Sequence, residues 1–421
     1  MRGLIATSCM LLLLIEAQSQ ISITGEQQGQ LSLNFAIDNF IVTHDGIYTE
    51  VTFKESTPLL IAGAPAVCER SASVIVDDFS DMTITVNHAV FEEYQDVFMR
   101  PSKGNLLRTV DPATVPYQEG LYYSQNEFFP GKLASLGSPY IQHQFRGQSV
   151  HFYPVQYNPV THTLRLYSSL DVTVSPTGQP GFNPLPTNLL QRTTLPMEEL
   201  YKAHFLNYSN QSSRYEQVGE LGNMLVISHA QYMDELQPWV QWKKEKGIPV
   251  EVVDVAQINS VAAISQFVQE YYETNGLTYL VLVGDEDQVP VQLVNYSSGQ
   301  GYCDACYGYT AGNDSYADLF VGHFLVHDDS ELPALIQKTL EYERNPNTAV
   351  DWFSKAMGIG SNEGDGIGDD NEADWQHQNG IKEDLLSFTY DEVWEKYDGG
   401  HTANSPSGGL TADASGSPSS T

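Results

Sequence analysis

The chain has 421 residues, with 20 Lys and Arg against 53 Asp and Glu, a formal net charge of −33. At roughly 150 residues per domain it should form two or three domains, and its 41% hydrophobic and 11% aromatic residues exclude wholesale disorder. So acidic a composition argues against the basic face that nucleic acid or an anionic membrane requires, and leaves cationic ligands, metal ions and cationic substrates open.

The first element is a leader. Met1-Arg2 is positive, residues 4–15 are an apolar run too short to span a bilayer, and Ala17-Gln18-Ser19 puts small residues at cleavage spacing. Residues 1–19 therefore read as a secretory signal peptide. The mature protein is expected to be secreted, with no membrane insertion, since no later stretch has about 18 consecutive apolar residues.

From residue 20 to 176, short β-rich segments alternate with turn chemistry, most clearly at 73–77, 83–86, 148–155 and 163–167. Asn158-Pro-Val-Thr161 reads as the hairpin between the last two. Helical periodicity is almost absent, which predicts an all-β sandwich or barrel. Residues 177–221 read as a connector, helical and polar over 194–214, with Ser213-Arg214-Tyr215 as exposed, flexible chain open to proteolysis.

At residue 222 the pattern changes. Apolar runs at 224–227, 250–255, 279–283, 319–321, 356–359 and 393–394 alternate with helical stretches. One helix ends at Lys246 before Gly247; another, over 260–273, sets Val261, Ile264, Phe267 and Val268 at helical spacing; two more cover 331–342 and 375–388. Strands that are apolar throughout, separated by amphipathic helices, predict an α/β doubly wound parallel sheet. In such sheets ligands gather beyond the carboxyl ends of the strands. Asp285 follows one such end and Glu363 another.

Once the leader is removed three cysteines are left, Cys68, Cys303 and Cys306, too few for a disulfide scaffold or a four-thiolate zinc site. Cys303-x-x-Cys306 reads as a local disulfide or two idle thiols, with a metal or redox role as the alternative. Two acidic loops should converge near the strand ends. One holds Asp314 and Asp318 beside Gly312 and Asn313; the other packs Asp365, Asp369, Asp370, Glu372 and Asp374 together. Like charges this close repel unless something neutralises them, so a bound calcium ion is expected, against the blander reading of a solvated acidic surface.

Gly222-Asn-Met-Leu-Val-Ile-Ser-His229, Tyr279-Leu-Val-Leu-Val-Gly-Asp285, Tyr307-Gly308, Gly312-Asn-Asp314 and Glu341-Tyr-Glu-Arg-Asn345, with Phe128-Phe-Pro-Gly131 and Arg146-Gly-Gln148 upstream, together resemble the gingipain family of secreted cysteine endopeptidases. The resemblance implies a β-rich inhibitory propeptide over 20–176, then a caspase-like α/β peptidase domain from 222 that cleaves protein or peptide substrates after a basic residue with a Cys-His pair. It implies that Glu363 orients the catalytic His and that Asp374 lines the floor of the specificity pocket, where it would pair with a substrate guanidinium. It also implies a structural calcium ion held by Asp285, Asp314, Asp318 and Glu372, by the carbonyls of Ala311 and Tyr316, and by His377. Processing is expected after Arg214. In gingipains a Gly-His-Gly segment and a later Cys follow the Tyr-Asp-Gly-Gly region; here Tyr397-Asp-Gly-Gly400 is followed by Ser-, Gly- and Ala-rich sequence to Thr421, and His401 reads as a loop residue. The expectation is a C-terminally incomplete precursor, inactive by itself. The competing reading is a non-catalytic, calcium-stabilised secreted adhesion or inhibitory protein built on the same folds.

Overall fold

A computed structural model describes residues 20–397, apart from 28, 107–109, 111–113, 188–191, 297–298 and 361–373. The upstream part begins with β1 (Ile21–Gln27) and β2 (Gln30–Ala36), the hairpin β3 (Ile41–Asp45) and β4 (Tyr48–Thr52), and β5 (Thr57–Pro58), β6 (Cys68–Ile75) and β7 (Ser80–Tyr94). It continues through β8 (Ala134–Leu136), β9 (Tyr140–Gln142), β10 (Phe145–Phe152), β11 (Val155–Asn158) and β12 (Thr163–Pro180). One sheet runs β1-β2-β12-β11 with β7 along the far side of β12; the other runs β5-β6-β10-β8 with β9 also on β10. Period-2 alternation turns Leu31, Leu33 and Phe35 of β2 inward, onto Val150 and Phe152 of β10 and Leu170, Val172 and Val174 of β12. The rings of Phe35 and Phe152 stack with centroids 5.0 Å apart, so the two sheets close face to face as a sandwich.

The connector is not free chain. After β13 (Arg192–Thr193) come α1 (Leu195–His204) and α2 (Tyr208–Gln211), whose Met197, Tyr201 and Tyr208, with Phe205 between the helices, are buried against Ile75, Tyr140 and Phe145 of the sandwich. Asn207 is fully buried and pairs both ways with the Ile75 backbone, accepting from its N–H at 2.7 Å and donating to its carbonyl at 3.0 Å. Strand β14 (Glu216–Gln217) lies parallel to β13, which ties the far end of the segment to the same body.

The downstream part alternates β15 (Met224–Ser228), α3 (Gln237–Glu245), β16 (Val250–Asp254), α4 (Val261–Asn275) and β17 (Tyr279–Val283), as expected. A hairpin unforeseen in the sequence follows, β18 (Gln292–Tyr296) with β19 (Gly299–Cys303), and then β20 (Phe320–Phe324) and α5 (Glu331–Arg344). The sheet is parallel in the order β16-β15-β17-β20. Leu225, Ile227, Leu280 and Leu282 pack under Ile264, Val268 and Tyr272 of α4. Met224, Val226, Val281 and Val283 face Trp239 and Val240 of α3 and Leu332 and Ile336 of α5. Both faces are covered, which explains why β17 and all but the last residue of β15 are apolar. Gly222, at φ +85°, feeds β15; a Cβ there would come within 2.1 Å of the Thr278 hydroxyl, so only glycine fits this close approach.

Strands β21 (Lys355–Gly360) and β22 (Glu392–Tyr397) correct one expectation. They pair in parallel with each other around α6 (Asp374–Phe388), and among the described residues neither bonds to the four-stranded sheet.

Candidate functional site

In the order β16-β15-β17-β20 the chain reverses direction across the sheet at β15 and β17, and the crevice of such a sheet opens beyond the carboxyl ends of those two strands. Asp285 stands there, its Oδ1 accepting from the backbone N–H groups of Asp287 at 3.1 Å and Gln288 at 2.9 Å, which shapes the turn after β17. Beyond β19, a 3-10 turn (Asp304–Gly308) buries Tyr307, whose hydroxyl donates to the Pro290 carbonyl. It leads into the acidic loop nominated from the sequence.

That loop folds around Asp318, which is fully buried. Its N–H donates to Gly308 O at 2.8 Å, and its Oδ2 accepts from Thr310 N at 2.9 Å, Ala311 N at 2.7 Å and the Thr310 hydroxyl at 3.2 Å. Its Oδ1 reaches into the other module and accepts from His143 N at 2.7 Å. Four residues earlier, Asp314 Oδ2 accepts from Ile141 N at 2.7 Å and from the Asn183 side-chain amide at 2.7 Å, while Oδ1 accepts from Tyr316 N at 2.8 Å. Of the two backbone donors, Ile141 lies in β9 and His143 in the turn just after it, at φ 55°. The N–H groups of residues two apart point the same way along the extended β9 segment, so two aspartates grip the end of the strand and the first residue of its turn.

Side chains complete the contact. Tyr316 stacks on Tyr140 with centroids 3.9 Å apart, Asn183 Oδ1 accepts from Asn313 N at 2.8 Å, and Ile141 is buried in the core beneath α4. Gly312, at φ +78°, passes so close that a Cβ would meet Asn183 Oδ1 and Ile141 Cγ1 at 2.7 Å. Asn183 is itself in the left-handed region, φ 53°, which Asn tolerates better than most residues.

Burial pushes the Asp318 carboxyl up to about 7, against the hydrogen bonds from Ala311, His143 and Thr310 that pull it down. Burial pushes the His143 imidazole down, to about 4, and its Nδ1 has no partner among the described residues. The folded value of His143 lies below its ordinary one of 6.5, so its share of stability is complete above about pH 6.5 and lost as pH falls toward about 4. Wild type compared with His143→Gln should lose about 2 kcal/mol between pH 7 and pH 5. The comparison isolates the histidine, because Asp318 titrates with the opposite sign in both proteins. Urea melts at the two pH values measure it, and a pH-independent difference contradicts it.

The structure thus gathers Asp314, Asp318, Ala311 and Tyr316 into one loop, but that loop leads into the amino end of β20 while Asp285 follows the carboxyl end of the parallel β17, so the expected convergence with Asp285 is corrected; His377 is exposed on α6. Asp374 opens α6. Glu363, Glu372 and His401 lie outside the described residues, as does the side chain of Asp374. Two N–H groups, a hydroxyl and a partner from the other module hydrogen-bond the Asp318 carboxylate. Among the described residues no group of three or more His, Cys, Asp or Glu is arranged to hold a metal.

Arg214 is a second correction. Instead of lying in flexible chain it ends a 3-10 turn (Ser212–Arg214), its guanidinium pairs with Asp78 at 2.5 Å, and it sits 5.3 Å from the Phe145 ring centroid. Tyr215 donates its hydroxyl to Gln144 O at 2.9 Å. The paired cysteines resolve in favour of the local disulfide, Cys303–Cys306. Cys68 is buried in the sandwich, donates to Val51 O at 3.4 Å, and has its thiol pushed up to about 12 by burial. It is no nucleophile.

The functional residues that the sequence did not disclose are Ile141, His143 and Asn183. Two of them act through backbone N–H groups, which leave no mark in a sequence; Asn183, between Phe182 and Pro184, carried only a turn signal.

Comparison with known proteins divides the chain at the same place. The family model described as Propeptide_C25 matches residues 18–213, and that described as Peptidase family C25 matches residues 219–411. Gingipain R2 of Porphyromonas gingivalis (strain ATCC BAA-308 / W83) is 35% identical over 395 residues, covering 91% of this chain and 53% of the relative. Gingipain R1 of Porphyromonas gingivalis is 37% identical over 389 residues, covering 89% of this chain and 38% of the relative. The chain thus spans about half the length of these curated relatives, or less. Among solved structures, one titled "Complex of Porphyromonas gingivalis RgpB pro- and mature domains" is 35% identical, covers 45% of this chain and 98% of its own, and has a TM-score of 0.42.

Proposed function

The chain belongs to peptidase family C25 and carries that family's propeptide region, and on that footing we propose that it is the precursor of a secreted cysteine endopeptidase that cleaves after arginine, held latent by its upstream β sandwich. The observation that carries this reading is the grip of Asp314 and Asp318 on β9 and the turn after it: the sandwich sits against the peptidase-side loop that leads into β20, at the amino-end edge of the sheet. The boundary between the two family matches, residues 213 and 219, brackets Tyr215 and favours processing after Arg214. The ion pair with Asp78 keeps that arginine from being presented as extended chain, so cleavage requires the turn at 212–214 to open first.

In this reading Glu363 orients the catalytic imidazole and the carboxylate of Asp374 receives the substrate guanidinium. Cys68 is buried and Cys303 and Cys306 are bonded to each other, so the nucleophile comes from outside the described residues. The sandwich acts as an inhibitor by occupying the peptidase portion, and secretion follows from the leader. Calcium belongs to the peptidase portion after the sandwich has left, when Asp314 and Asp318 are no longer taken up by Ile141 and His143. Calcium titration calorimetry should then find tighter binding to the processed protein than to the intact chain; equal affinity contradicts this.

Cells expressing the gene should release a product that begins at Tyr215 and hydrolyses an arginyl amide at least about tenfold faster than a lysyl amide. Mass spectrometry placing the start elsewhere, for example at Met224, contradicts the processing point. A lysyl preference contradicts the arginine reading.

A further inference from the structure

The Cys303–Cys306 disulfide sits at the foot of the docking loop. Cys303 ends β19 and is buried, whereas Cys306, in the 3-10 turn, is half-buried next to the exposed Ala305. The next residue, Tyr307, anchors in the core beneath α4, and the one after, Gly308, accepts from the N–H of Asp318. One residue, Tyr307, therefore separates Cys306 from Gly308 at the base of the loop that holds β9. On the other side of the turn, His323 of β20 lies 3.1 Å from Asp304 through Nδ1 and 2.7 Å from the Gly284 carbonyl through Nε2. The turn is thus clamped to both neighbouring strand ends, with the disulfide as its covalent member.

A sulfur bridge across so few residues does little as a global staple. The entropy that a disulfide removes from the unfolded chain grows with the length of the loop it closes, and here the sequence separation is 3. What it can fix is local geometry. We propose that Cys303–Cys306 is a reversible redox-modification site, opened by a small neutral or cationic dithiol, and that its opening loosens the hold of the docking loop on the upstream sandwich.

The reductant's thiolate attacks the more accessible sulfur, Cys306 Sγ. The Sγ–Sγ bond breaks, a mixed disulfide forms at Cys306, and Cys303 leaves as a thiolate that takes up a proton. The second thiol of the reductant then displaces Cys306, which is also protonated, and the dithiol departs as its own cyclic disulfide. The flanking Asp304 and the net charge of −33 oppose approach of an anionic thiol, which selects the class of reductant. The third thiol does not compete, because Cys68 is buried in the other module. The lock rests on the docking geometry, and its failure is separable from failure of the peptidase reading because no step of the test measures hydrolysis.

The test treats the full chain with dithiothreitol, follows thiol alkylation by mass spectrometry, and measures amide hydrogen exchange. In the chain without its leader, Cys303 and Cys306 should react while Cys68 stays protected. Peptides covering 139–144 and 309–318 should then exchange on the order of tenfold faster, with β2 and β12 unchanged. The double variant Cys303→Ser, Cys306→Ser should exchange in the same way without reductant; if it does not fold, the reduced wild type decides alone. Reduction that occurs only when Cys68 also reacts, or unchanged exchange at 139–144 after reduction, overturns the proposal.

Discussion

Asp318→Ala is expected to cost the intact chain about 3 kcal/mol and to uncouple its two modules. The carboxylate is fully buried and accepts from Thr310 N, Ala311 N, His143 N and the Thr310 hydroxyl. Removing it strands three backbone N–H groups, each worth about 1–3 kcal/mol when left unpaired and buried, while the hydroxyl can rotate to another acceptor. Part of that loss is offset, because a buried carboxylate whose pKa is pushed up to about 7 is itself costly to desolvate. Thr310 and Ala311 belong to the loop and His143 to the sandwich, so the variant disturbs both the shape of the loop and its grip. Urea unfolding should show a lower midpoint and a shallower slope, as two modules melt separately instead of together. A loss under about 1 kcal/mol with an unchanged slope would show that the contact is incidental.

The second large effect is expected at Arg146. This side chain is fully buried and donates to four backbone carbonyls: Asn183 O at 2.9 Å, Asp77 O at 2.6 Å, Ser80 O at 2.9 Å and Phe182 O at 2.8 Å. No carboxylate touches it among the described residues; burial lowers its pKa, and the charges of Asp77, Asp81 and Asp78 nearby partly compensate. Arg146→Met keeps the apolar stem but strands four carbonyls, and about 3–5 kcal/mol should be lost, roughly 10 °C in Tm. The consequence reaches the docking site, since the guanidinium fixes the Phe182–Asn183 turn from which Asn183 holds Asp314 and Asn313. Arg146→Lys should recover only part of the loss, because one ammonium cannot reproduce a planar fork of donors. Equal melting temperatures for wild type and Arg146→Met contradict this role.

The downstream sheet was legible because its physics is local. Strands 224–227 and 279–283 must be apolar on both faces, and Val261, Ile264 and Val268 fall on one side of a helix whose N-cap, Ser260, accepts from Ala263 N at 3.2 Å. The upstream sandwich was legible where strands are half-buried, as in β10 and β12. Strand β7 showed only at 83–86, because most of its residues are exposed and its polar and charged side chains break the alternation. Segment 194–214 read as a polar connector, yet its aromatic residues Tyr201, Phe205 and Tyr208 are spaced to bury against the sandwich.

The docking loop is the instructive case. Two acids four residues apart led to the expectation of a cation, an inference drawn from side chains alone. The structure also supplies N–H dipoles, from a strand and its turn more than 170 positions away. Such a partner is invisible in sequence, since every residue other than proline offers the same group.

The most direct test is to cut the purified chain once after Arg214 and pass it through a gel-filtration column. The account predicts that residues up to Arg214 and those from Tyr215 onward co-elute as one complex, and that the same cut in Asp318→Ala yields two separate peaks. Separate peaks from the cut wild-type chain, or co-elution regardless of residue 318, would contradict the claim that this loop holds the sandwich in place.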